Sequence, residues 1–502
     1  MQINISQWLD KTAEKFPNKV AFCDENKEVT FEEFRKSALK IATVLVSKKM
    51  YKQPIAIYME KSVDEIEAFL GVAYSGNFYS PIDVNMPMSR VKKIIEVFEP
   101  QILITKREYT DNIRIFAQET ELIYIEDIEN ITIDEDLVFE QNKLCCDRDL
   151  LYVLFTSGST GVPKGVTICH QSVIDYIDWV ESEFKMDNTT VFGNQAPFYF
   201  DNSILDIYTT IKCGAKMYVI PSRLFSWPKL LLEYIDVNGI NTIFWVPSAM
   251  ILVSKLKALS QVDLKGKLKK ILFCGEVMPN KHLNVWRKYI PNALYANLYG
   301  PTEITDVCTY YIVDRAFRDD ESLPIGKALR NTDIIILDEN DKKVKNGEIG
   351  ELCVRGTSLS LGYYKNIERT KQVFVQNPLN REYVESIYRT GDLVKVNERD
   401  EIIYIGRKDF QIKHMGHRIE LGEIETAVSS LKEISMSCCL YDEKRGKIVL
   451  FVEEKLNLEE LNKILKEMIP EYMLPNKIIH VEQMPLNVNG KIDRVKLKEL
   501  LG

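Results

Sequence analysis

Residues 151–170 read LYVLFTSGSTGVPKGVTICH, and this stretch decides which fold the chain is expected to have. It begins with an apolar, partly β-branched run, which predicts a short buried strand. Residues 156–165 then contain three glycines, four hydroxyl side chains and one lysine. Glycines let backbone N–H groups converge on an oxyanion, hydroxyls add donors, and Lys164 adds a mobile positive charge. The stretch therefore predicts a strand leading into a phosphate-binding loop, where Thr160 is suited to hold a phosphate-bound Mg²⁺.

Two other interpretations of this loop are weaker. A P-loop has the pattern G-x-x-x-x-G-K-[ST], but Lys164 follows Pro163 and precedes Gly165 instead of a hydroxyl residue. A Ser/Gly-rich surface linker does not fit the apolar strand before the loop or the second strand predicted after it, at residues 166–169.

The composition is that of a globular enzyme with more than one domain. The 502 residues are 45% hydrophobic and 27% charged, which suits a soluble protein with a large core. A net charge of −8 argues against nucleic-acid binding. No apolar run approaches ~18 residues and the N-terminus lacks a signal-peptide pattern, so neither membrane insertion nor export is expected. The ten cysteines lack metal-ligand spacing, so we expect reduced thiols, no zinc and a cytoplasmic protein.

The order of the expected helices and strands indicates the fold class. Up to residue 330, short apolar strands alternate with amphipathic helices, which predicts a parallel sheet with helices on both faces. From there, closely spaced short strands predict a β-barrel-like or sandwich-like subdomain. Residues 125–148 are acidic and weakly patterned, and we expect them to form a surface excursion. The expected fold class is α/β, with wrapped parallel sheets, a β-barrel-like subdomain and a small α+β C-terminal domain.

Three further segments carry residues suited to chemistry. Residues 197–206, PFYFDNSILD, place acids among aromatics, so Asp201 is either a helix N-cap or a carboxylate that pairs with an ammonium group. Residues 271–276, ILFCGE, end a strand at a glycine that permits close approach of the backbone to a flat ligand. Residues 297–303, NLYGPTE, offer a tyrosine ring for stacking on a purine. Thr302 and Glu303 follow as a magnesium site beside a triphosphate.

The glycine loop and these segments, in this order, resemble the motifs of the adenylate-forming superfamily. That superfamily includes acyl-CoA synthetases, luciferases and the adenylation domains of peptide synthetases. The resemblance covers essentially the whole chain. It is strongest to D-alanine–carrier protein ligases and stand-alone amino-acid adenylation domains, whose motifs are similar to FCGE at 273–276 and DFQIK at 409–413. It implies an AMP-forming ligase that uses ATP and Mg²⁺.

The resemblance also implies which residues bind the nucleotide. They are Thr156, Ser157, Gly158, Ser159, Thr160, Gly161, Lys164, Gly275, Glu276, Asn297, Leu298, Tyr299, Gly300, Thr302, Asp392 and Arg407. Glu303 and Thr160 would bind Mg²⁺, Asp392 would bind the ribose, and Lys491, Glu303 and Lys413 would be catalytic. Lys491 would bridge the substrate carboxylate and the α-phosphate.

A mobile domain arrangement is implied as well. The large adenylation domain would span residues 1–407 and the small C-terminal domain residues 408–502, with Asp409 at the hinge. After adenylation, rotation about the hinge would remove Lys491 from the site and bring the Gly416 region in, for acyl transfer to a phosphopantetheine thiol. The expected partner is an acyl or peptidyl carrier protein, and we expect a monomer.

Alignment to the family motifs also gives the substrate pocket. Its lining residues are Asp201, Asn202, Leu205, Phe244, Leu272, Cys274, Leu298, Asp306 and Val307. Asp201, in a Phe-Asp-x-Ser motif, would hold an α-amino group, which implies an amino acid: D-alanine or another small or polar one. Asn202 and Asp306 are more polar than D-alanine requires. Either the substrate brings its own donor (a second amine, an amide or a hydroxyl), or Asp306 pairs with a neighbouring side chain or water.

Two other functions are the alternatives. An acyl- or aryl-CoA synthetase of the same fold would activate a simple acid and would not need Asp201. A non-catalytic adenylate-binding member would have no use for Lys491, Glu303, Asp392 and the glycine loop together, and would show no ATP–pyrophosphate exchange with any acid.

Overall fold

Strands and helices alternate along most of the chain. The computed structural model of the protein describes residues 3–158, 161–408, 411–431, 433–434, 436–485 and 492–501. The strands of these residues are β1 Val20–Cys23, β2 Glu28–Thr30, β3 Pro54–Met59, β4 Phe78–Asp83, β5 Ile102–Thr105, β6 Glu121–Tyr124, β7 Leu150–Thr156, β8 Lys164–Cys169, β9 Val191–Asn194, β10 Lys216–Val219, β11 Thr242–Trp245, β12 Lys270–Phe273, β13 Leu294–Tyr299, β14 Thr309–Ile312, β15 Lys327–Ala328, β16 Thr332–Leu337, β17 Gly350–Gly356, β18 Phe374–Gln376, β19 Ser386–Val396, β20 Ile402–Arg407, β21 Gln411–His414, β22 His417–Glu420, β23 Ser437–Asp442, β24 Lys447–Val452 and β25 Lys477–His480.

The helices are placed between these strands. The α-helices of the described residues are α1 Ser6–Lys15, α2 Phe31–Ser47, α3 Val63–Tyr74, α4 Met88–Phe98, α5 Thr110–Phe116, α6 Ile125–Ile128, α7 Glu135–Asn142, α8 His170–Phe184, α9 Asn202–Cys213, α10 Pro228–Val237, α11 Pro247–Lys255, α12 Asn280–Tyr289, α13 Ile367–Val373, α14 Leu421–Ser429, α15 Leu458–Leu465 and α16 Arg494–Glu499.

Two largely parallel sheets form the main body of the large domain. One has the strand order β6-β5-β3-β4-β7-β8 and is parallel except at β8. The other has the order β15-β14-β13-β12-β11-β9-β10-β1-β2 and is parallel from β13 to β1. Helices α2, α3, α8 and α9 share one hydrophobic core with residues of both sheets. The predicted α/β fold with wrapped parallel sheets is therefore confirmed.

Helix α2 shows how the sequence sets these elements. Thr30 and Glu33 form a capping box: the Thr30 hydroxyl accepts from the Glu33 N–H, and the Glu33 carboxylate accepts from the Thr30 N–H. Phe34, Ala38 and Ile41 then follow at helical spacing and are fully buried. The helix therefore begins where the cap satisfies its first donors, and its apolar stripe fixes which side faces the core.

The β-rich part after residue 330 forms a separate antiparallel sheet. Strand β19 pairs with β17, β18 and β20, and β16 pairs with β17. The core of this sheet includes Leu352, Val354, Tyr388 and Val394. This agrees with the predicted β-rich subdomain appended to the parallel sheets.

The small C-terminal domain has its own core. A hairpin, β21–β22, precedes α14, and β23, β24 and β25 form a three-stranded sheet. Ile424, Val428, Leu450, Leu461 and Leu465 form a core from α14, β24 and α15. A domain with an independent core can move as a unit relative to the rest of the chain.

The segment 125–148 is more ordered than predicted. It contains α6 and α7, and α7 is capped by the Asp134 side chain, which accepts from the Leu137 N–H at 3.0 Å. Val138 of α7 is fully buried in the core that α2 also contributes to. With one fully buried residue, this short helix has too weak an apolar stripe to be recognised from the sequence.

No helix within the described residues is both long enough and apolar enough to cross a membrane.

Candidate active site

The predicted site residues come together at the carboxyl ends of parallel strands. Strands β11, β12 and β13 are adjacent, and they end at Trp245, Phe273 and Tyr299. The residues that follow each end therefore lie side by side at one edge of the sheet. This edge is where open α/β sheets bind ligands. The tip of the β21–β22 hairpin also meets this edge, because a Cβ added to Gly416 would lie 2.7 Å from Val246.

The glycine loop has a shape that only glycine allows at two positions. The Gly161 N–H donates to the Gly158 carbonyl at 2.9 Å, and Gly161 has φ +73°. A Cβ on Gly158 would lie 2.1 Å from the Val162 carbonyl oxygen. Ser159 and Thr160, two predicted members of this loop, lie outside the described residues.

Side chains and backbone of the small domain fill this loop. The Ser157 hydroxyl donates to the Arg418 carbonyl at 2.8 Å and accepts from the Glu420 N–H at 3.2 Å. Lys164 Nζ lies 3.0 Å from Glu420 Oε1. The Glu423 carboxylate lies near the Gly158 backbone N–H, which acts to lower its pKa. Two carboxylates of the small domain thus lie beside donors that the sequence assigned to phosphates.

Glu303 is a buried, ionised carboxylate at the centre of the site. It accepts from the Tyr363 hydroxyl at 2.7 Å and pairs with the Arg418 guanidinium. Burial acts to raise its pKa, but the facing charges of Arg418 and Lys164 prevail and lower the pKa of Glu303 to about 2. The ionised Glu303 carboxylate, which here pairs with the Arg418 cation, fits the predicted role as a Mg²⁺ ligand. Mg²⁺ in proteins binds one or two carboxylates together with phosphate oxygens.

The predicted nucleotide residues form a connected group around Tyr299. The Tyr299 hydroxyl donates to Asp392, and Arg407 Nη1 lies 2.9 Å from Asp392 Oδ1. The Lys413 ammonium lies 5.2 Å from the centre of the Tyr299 ring. Asn297 donates to the Pro324 carbonyl at 2.8 Å, which holds the strand that presents Tyr299. The ring, the carboxylate and two cations that the resemblance assigns to the nucleotide are thus brought together in the structure.

The turn after β12 also has the predicted features. Gly275 has φ +101°, a backbone conformation that favours glycine. Glu276 is fixed by the Ser248 N–H, which donates to its Oε2 at 2.9 Å. The backbone at Gly275 therefore has no side chain that would keep a flat ligand at a distance.

Asp201 lies at the start of α9 and is buried. Its carboxylate accepts from the adjacent Asn202 N–H at 3.1 Å, in helical backbone geometry. Usual N-capping reaches two or three residues ahead from an extended backbone, so this carboxylate is not used as an ordinary cap. Burial raises the pKa of Asp201, while the Thr302 hydroxyl and the Lys413 ammonium act to lower it.

The apolar walls of the predicted substrate pocket are fully enclosed. The residues with at most 2% exposure are Leu205, Phe244, Leu272, Cys274, Leu298 and Val307. Among them lies Asp306, whose Oδ2 accepts from the Tyr176 hydroxyl at 2.7 Å. Of the two sequence-based interpretations of Asp306, a neighbouring side chain as partner is thus present in the structure. One phenol bond leaves further capacity on the carboxylate, so a substrate donor is still compatible.

Sequence reasoning missed the residues that join the two domains here. Arg90 of α4 and Glu423 of α14 form an ion pair at 2.7 Å, with side-chain exposures of 5% and 6%. The His417 ring stacks on Tyr472 at 3.5 Å and meets the Phe200 ring edge-on at 4.8 Å. The only available signal was a charged residue, Arg90, at a helix position that the apolar spacing assigns to the buried face.

Four predicted residues lie outside the described part of the chain: Ser159 and Thr160 in the loop, Asp409 at the expected hinge, and Lys491. Their roles stay predictions.

Comparison with known proteins agrees with this geometry. The profile of the AMP-binding enzyme family matches residues 9–364, and that of the AMP-binding enzyme C-terminal domain matches residues 423–491. The chain is 32% identical to a D-alanine--D-alanyl carrier protein ligase of Staphylococcus epidermidis, over 98% of each chain. It is 31% identical to a mycosubtilin synthase polypeptide of Bacillus subtilis over 98% of its own length, but it spans only 19% of that larger protein.

A solved structure shares the fold. NpsA-ThdA, an artificially fused adenylation–PCP di-domain from Klebsiella oxytoca, matches with a TM-score of 0.82 and 19% identity, over 96% of this chain and 95% of that one. The fold and the matched family are those of a nucleotide-binding enzyme. The chain belongs to the AMP-binding enzyme family, as its motifs predicted.

Proposed function

We propose that the protein activates an amino acid with ATP and then transfers it to the phosphopantetheine thiol of a carrier protein. The observation that carries this proposal is a buried carboxylate, Asp201, beside a nucleotide site with an ionised Glu303. A carboxylate in a desolvated pocket needs a cationic partner, and the α-ammonium of an amino acid supplies one. Carrier protein ligases and peptide synthetases among the relatives support the same activity.

In the first half-reaction, the substrate carboxylate attacks the α-phosphate of ATP, which forms aminoacyl-AMP and releases pyrophosphate. Both reactants are anions, so the protein must supply orientation and positive charge. Lys164 and the loop N–H groups would hold the β- and γ-phosphates, and Lys491 would lie between the carboxylate and the α-phosphate. Mg²⁺ on Glu303 would neutralise further phosphate charge. No general base is required, because the carboxylate is already ionised at neutral pH.

We assign the arrangement described above to the second half-reaction. Glu420 pairs with Lys164, which the β- and γ-phosphates need, Glu423 places a second negative charge near the Gly158 N–H, and Arg418 pairs with the carboxylate that Mg²⁺ needs. Like charges cannot share these positions, so this arrangement and bound triphosphate exclude one another. The small domain would therefore move in only after magnesium pyrophosphate has left.

The hinge and the domain boundary belong to the same proposal. The large domain would end at residue 407 and the small domain would begin at residue 408, with rotation at Asp409. In the second half-reaction, the thiolate of the carrier attacks the carbonyl carbon of aminoacyl-AMP. A carbon–sulfur bond forms, the carbon–oxygen bond to phosphate breaks, and AMP leaves with the electron pair.

We further propose that the protein works in the cytoplasm, as a monomer. Every cysteine is a free thiol, which suits a reducing compartment with ATP.

Two assays test the proposal together. ATP–pyrophosphate exchange with single amino acids reports adenylation, and loading of a phosphopantetheinylated carrier protein reports transfer. We expect exchange with at least one amino acid, and a loss of at least ~100-fold in Asp201→Asn, because the ammonium would lose its counter-charge. Exchange with a fatty or aryl acid but with no amino acid would instead support the acyl-CoA synthetase alternative. No exchange with any acid would support a non-catalytic binding protein.

A further inference from the structure

We propose that the substrate is an amino acid with a second amine on a short side chain, and that Asp306 binds this amine. The inference rests on the proposed function, since it concerns the pocket where that amino acid would bind. A diamino acid substrate would distinguish the protein from a D-alanine–carrier protein ligase. The chain is 32% identical to one such enzyme over almost its full length.

Asp306 is held in the pocket by an unusual backbone. Thr305 and Asp306 both have positive φ values, 61° and 74°, which non-glycine residues rarely adopt. Two such residues in succession cost free energy, and they persist where the surrounding structure requires them. Here they turn the chain between strands β13 and β14. The Asp306 carboxylate, only 1% exposed, thereby meets the Tyr176 hydroxyl.

A second polar group in the same wall lacks a partner. Asn202 is 8% exposed, and its Nδ2 has no hydrogen-bond partner within the described residues. A buried amide without a partner costs ~1–3 kcal/mol, so the pocket wall is built for a polar ligand. Rotation of the amide by half a turn presents its oxygen to an ammonium group, whereas a methyl group offers a partner in neither orientation.

The charges at the site indicate a cation instead of a neutral donor. An aminoacyl-adenylate carries one ammonium and one phosphate charge. Asp201 would balance the ammonium and Lys413 would balance the phosphate, which leaves the Asp306 carboxylate without a counter-charge. Burial, and then the neighbouring Asp201, hold the pKa of Asp306 well above its ordinary value, which favours the protonated form of Asp306 while no cation lies beside it. A second ammonium beside Asp306 would favour the ionised form and pair with it, whereas a hydroxyl or an amide would not.

The enclosed walls limit the length of the side chain. Leu205, Phe244 and Val307 are fully buried and belong to one hydrophobic core. We infer that an amine close to the α-carbon would displace these walls less than an amine at the end of a long side chain. 2,3-Diaminopropionate and 2,4-diaminobutyrate therefore fit better than ornithine or lysine.

The test is a substrate series in ATP–pyrophosphate exchange with the full-length protein. The series contains both enantiomers of alanine, 2-aminobutyrate, serine, asparagine, 2,3-diaminopropionate, 2,4-diaminobutyrate, ornithine and lysine. We expect kcat/KM for the two short diamino acids to exceed that for alanine and 2-aminobutyrate by at least ~100-fold, because a pocket built for a polar group rejects analogues that lack one. Greater activity with any other amino acid of the series than with the two short diamino acids would refute the inference and leave the proposed function intact. Exchange with no amino acid would refute both.

A pair of matched variants locates the effect. Asp306→Asn keeps the shape and removes the charge, so we expect kcat/KM for the diamino acids to fall at least ~30-fold relative to kcat/KM for alanine. The control is Asp314→Asn, since exposed Asp314 accepts from the Tyr311 hydroxyl at 2.8 Å and so copies the tyrosine–aspartate pair outside the pocket. We expect it to leave the substrate profile unchanged. An equal fall for every substrate in Asp306→Asn would contradict the assignment. If this variant does not fold, the wild-type series decides.

Discussion

Arg418 of the small domain is paired with Glu303 of the large domain, and Glu303 is the carboxylate that the sequence assigned to Mg²⁺. The Arg418 guanidinium therefore lies where Mg²⁺ is expected. Two residues later, the Glu420 carboxylate pairs with Lys164, where a phosphate is expected. On strand β22 these two residues point to the same side, because alternate residues of a strand share a face. One strand thus supplies both charges that magnesium pyrophosphate would supply.

The ion pair between Arg90 and Glu423 should stabilise only the domain arrangement that we assign to the second half-reaction. Breaking a buried pair leaves one uncompensated charge and is strongly destabilising to the state that contains it. We expect Arg90→Gln to slow transfer to the carrier by at least ~10-fold and to leave pyrophosphate exchange nearly unchanged. Single-turnover loading and exchange assays give the two rates.

Lys92→Gln is the matched control for that variant, since Lys92 is exposed on the same helix. It should affect neither rate. The double exchange Arg90→Glu with Glu423→Arg should restore part of the transfer. Equal slowing of both half-reactions by Arg90→Gln would show that Arg90 has a general structural role.

Transfer should depend on pH through His417. Burial, and then the nearby charges of His414 and Arg90, lower the pKa of His417 to about 3 in this arrangement, where Tyr472 and Phe200 cover the ring. Once exposed, the ring returns toward its ordinary value of ~6.5. The covered state is therefore stable above that pH and loses stability as the pH falls through ~6.5 towards 3. Between pH 7.5 and 5.5 we expect this effect to slow transfer roughly tenfold relative to adenylation.

His417→Phe serves as the reference for this pH effect, because it keeps an aromatic ring against Tyr472 and cannot be protonated. The ratio of wild-type to variant transfer rates cancels the ionisation of the carrier thiol. A ratio that stays constant from pH 7.5 to 5.5 would exclude His417 as the cause.

Lys491→Ala should slow adenylation by at least ~100-fold, the usual effect of removing one preorganised charge contact. Transfer from aminoacyl-AMP supplied directly should be much less affected. Lys496→Ala, which removes an exposed lysine of α16, is the control. Near-normal pyrophosphate exchange in Lys491→Ala would remove this lysine from the proposed mechanism.

Asp409→Pro should impair transfer far more than adenylation, because proline fixes φ at the expected hinge and opposes rotation. Asp409→Ala removes the same carboxylate and keeps the backbone free, so we expect it to retain most of the transfer activity. Carrier loading and exchange measured on both variants separate the backbone effect from the charge effect. Similar losses in the two assays for Asp409→Pro would place the hinge elsewhere.

The local sequence patterns predicted most of the architecture correctly. The apolar run and glycine loop at 150–165 became β7 and a loop whose shape depends on Gly158 and Gly161. The strand before Tyr299 and the β-rich region after residue 330 were also found where expected. These features are local, because a strand, a turn or a tight glycine loop is encoded by neighbouring residues. Helix α7 was missed because only Val138 of its residues is buried.

The sequence by itself determined the family, the α/β fold and the carboxylate, Asp201, that points to an amino acid. Only the tertiary structure decided which partners these residues meet. Tyr176 and Asp306 are 130 residues apart, Arg418 and Glu303 are 115 apart, and Arg90 and Glu423 are 333 apart. Contacts at such separations depend on how the sheets and the two domains pack, and no local pattern records that packing. The physical reason is that a buried charge acquires its partner, and hence its pKa, from the surroundings that folding creates.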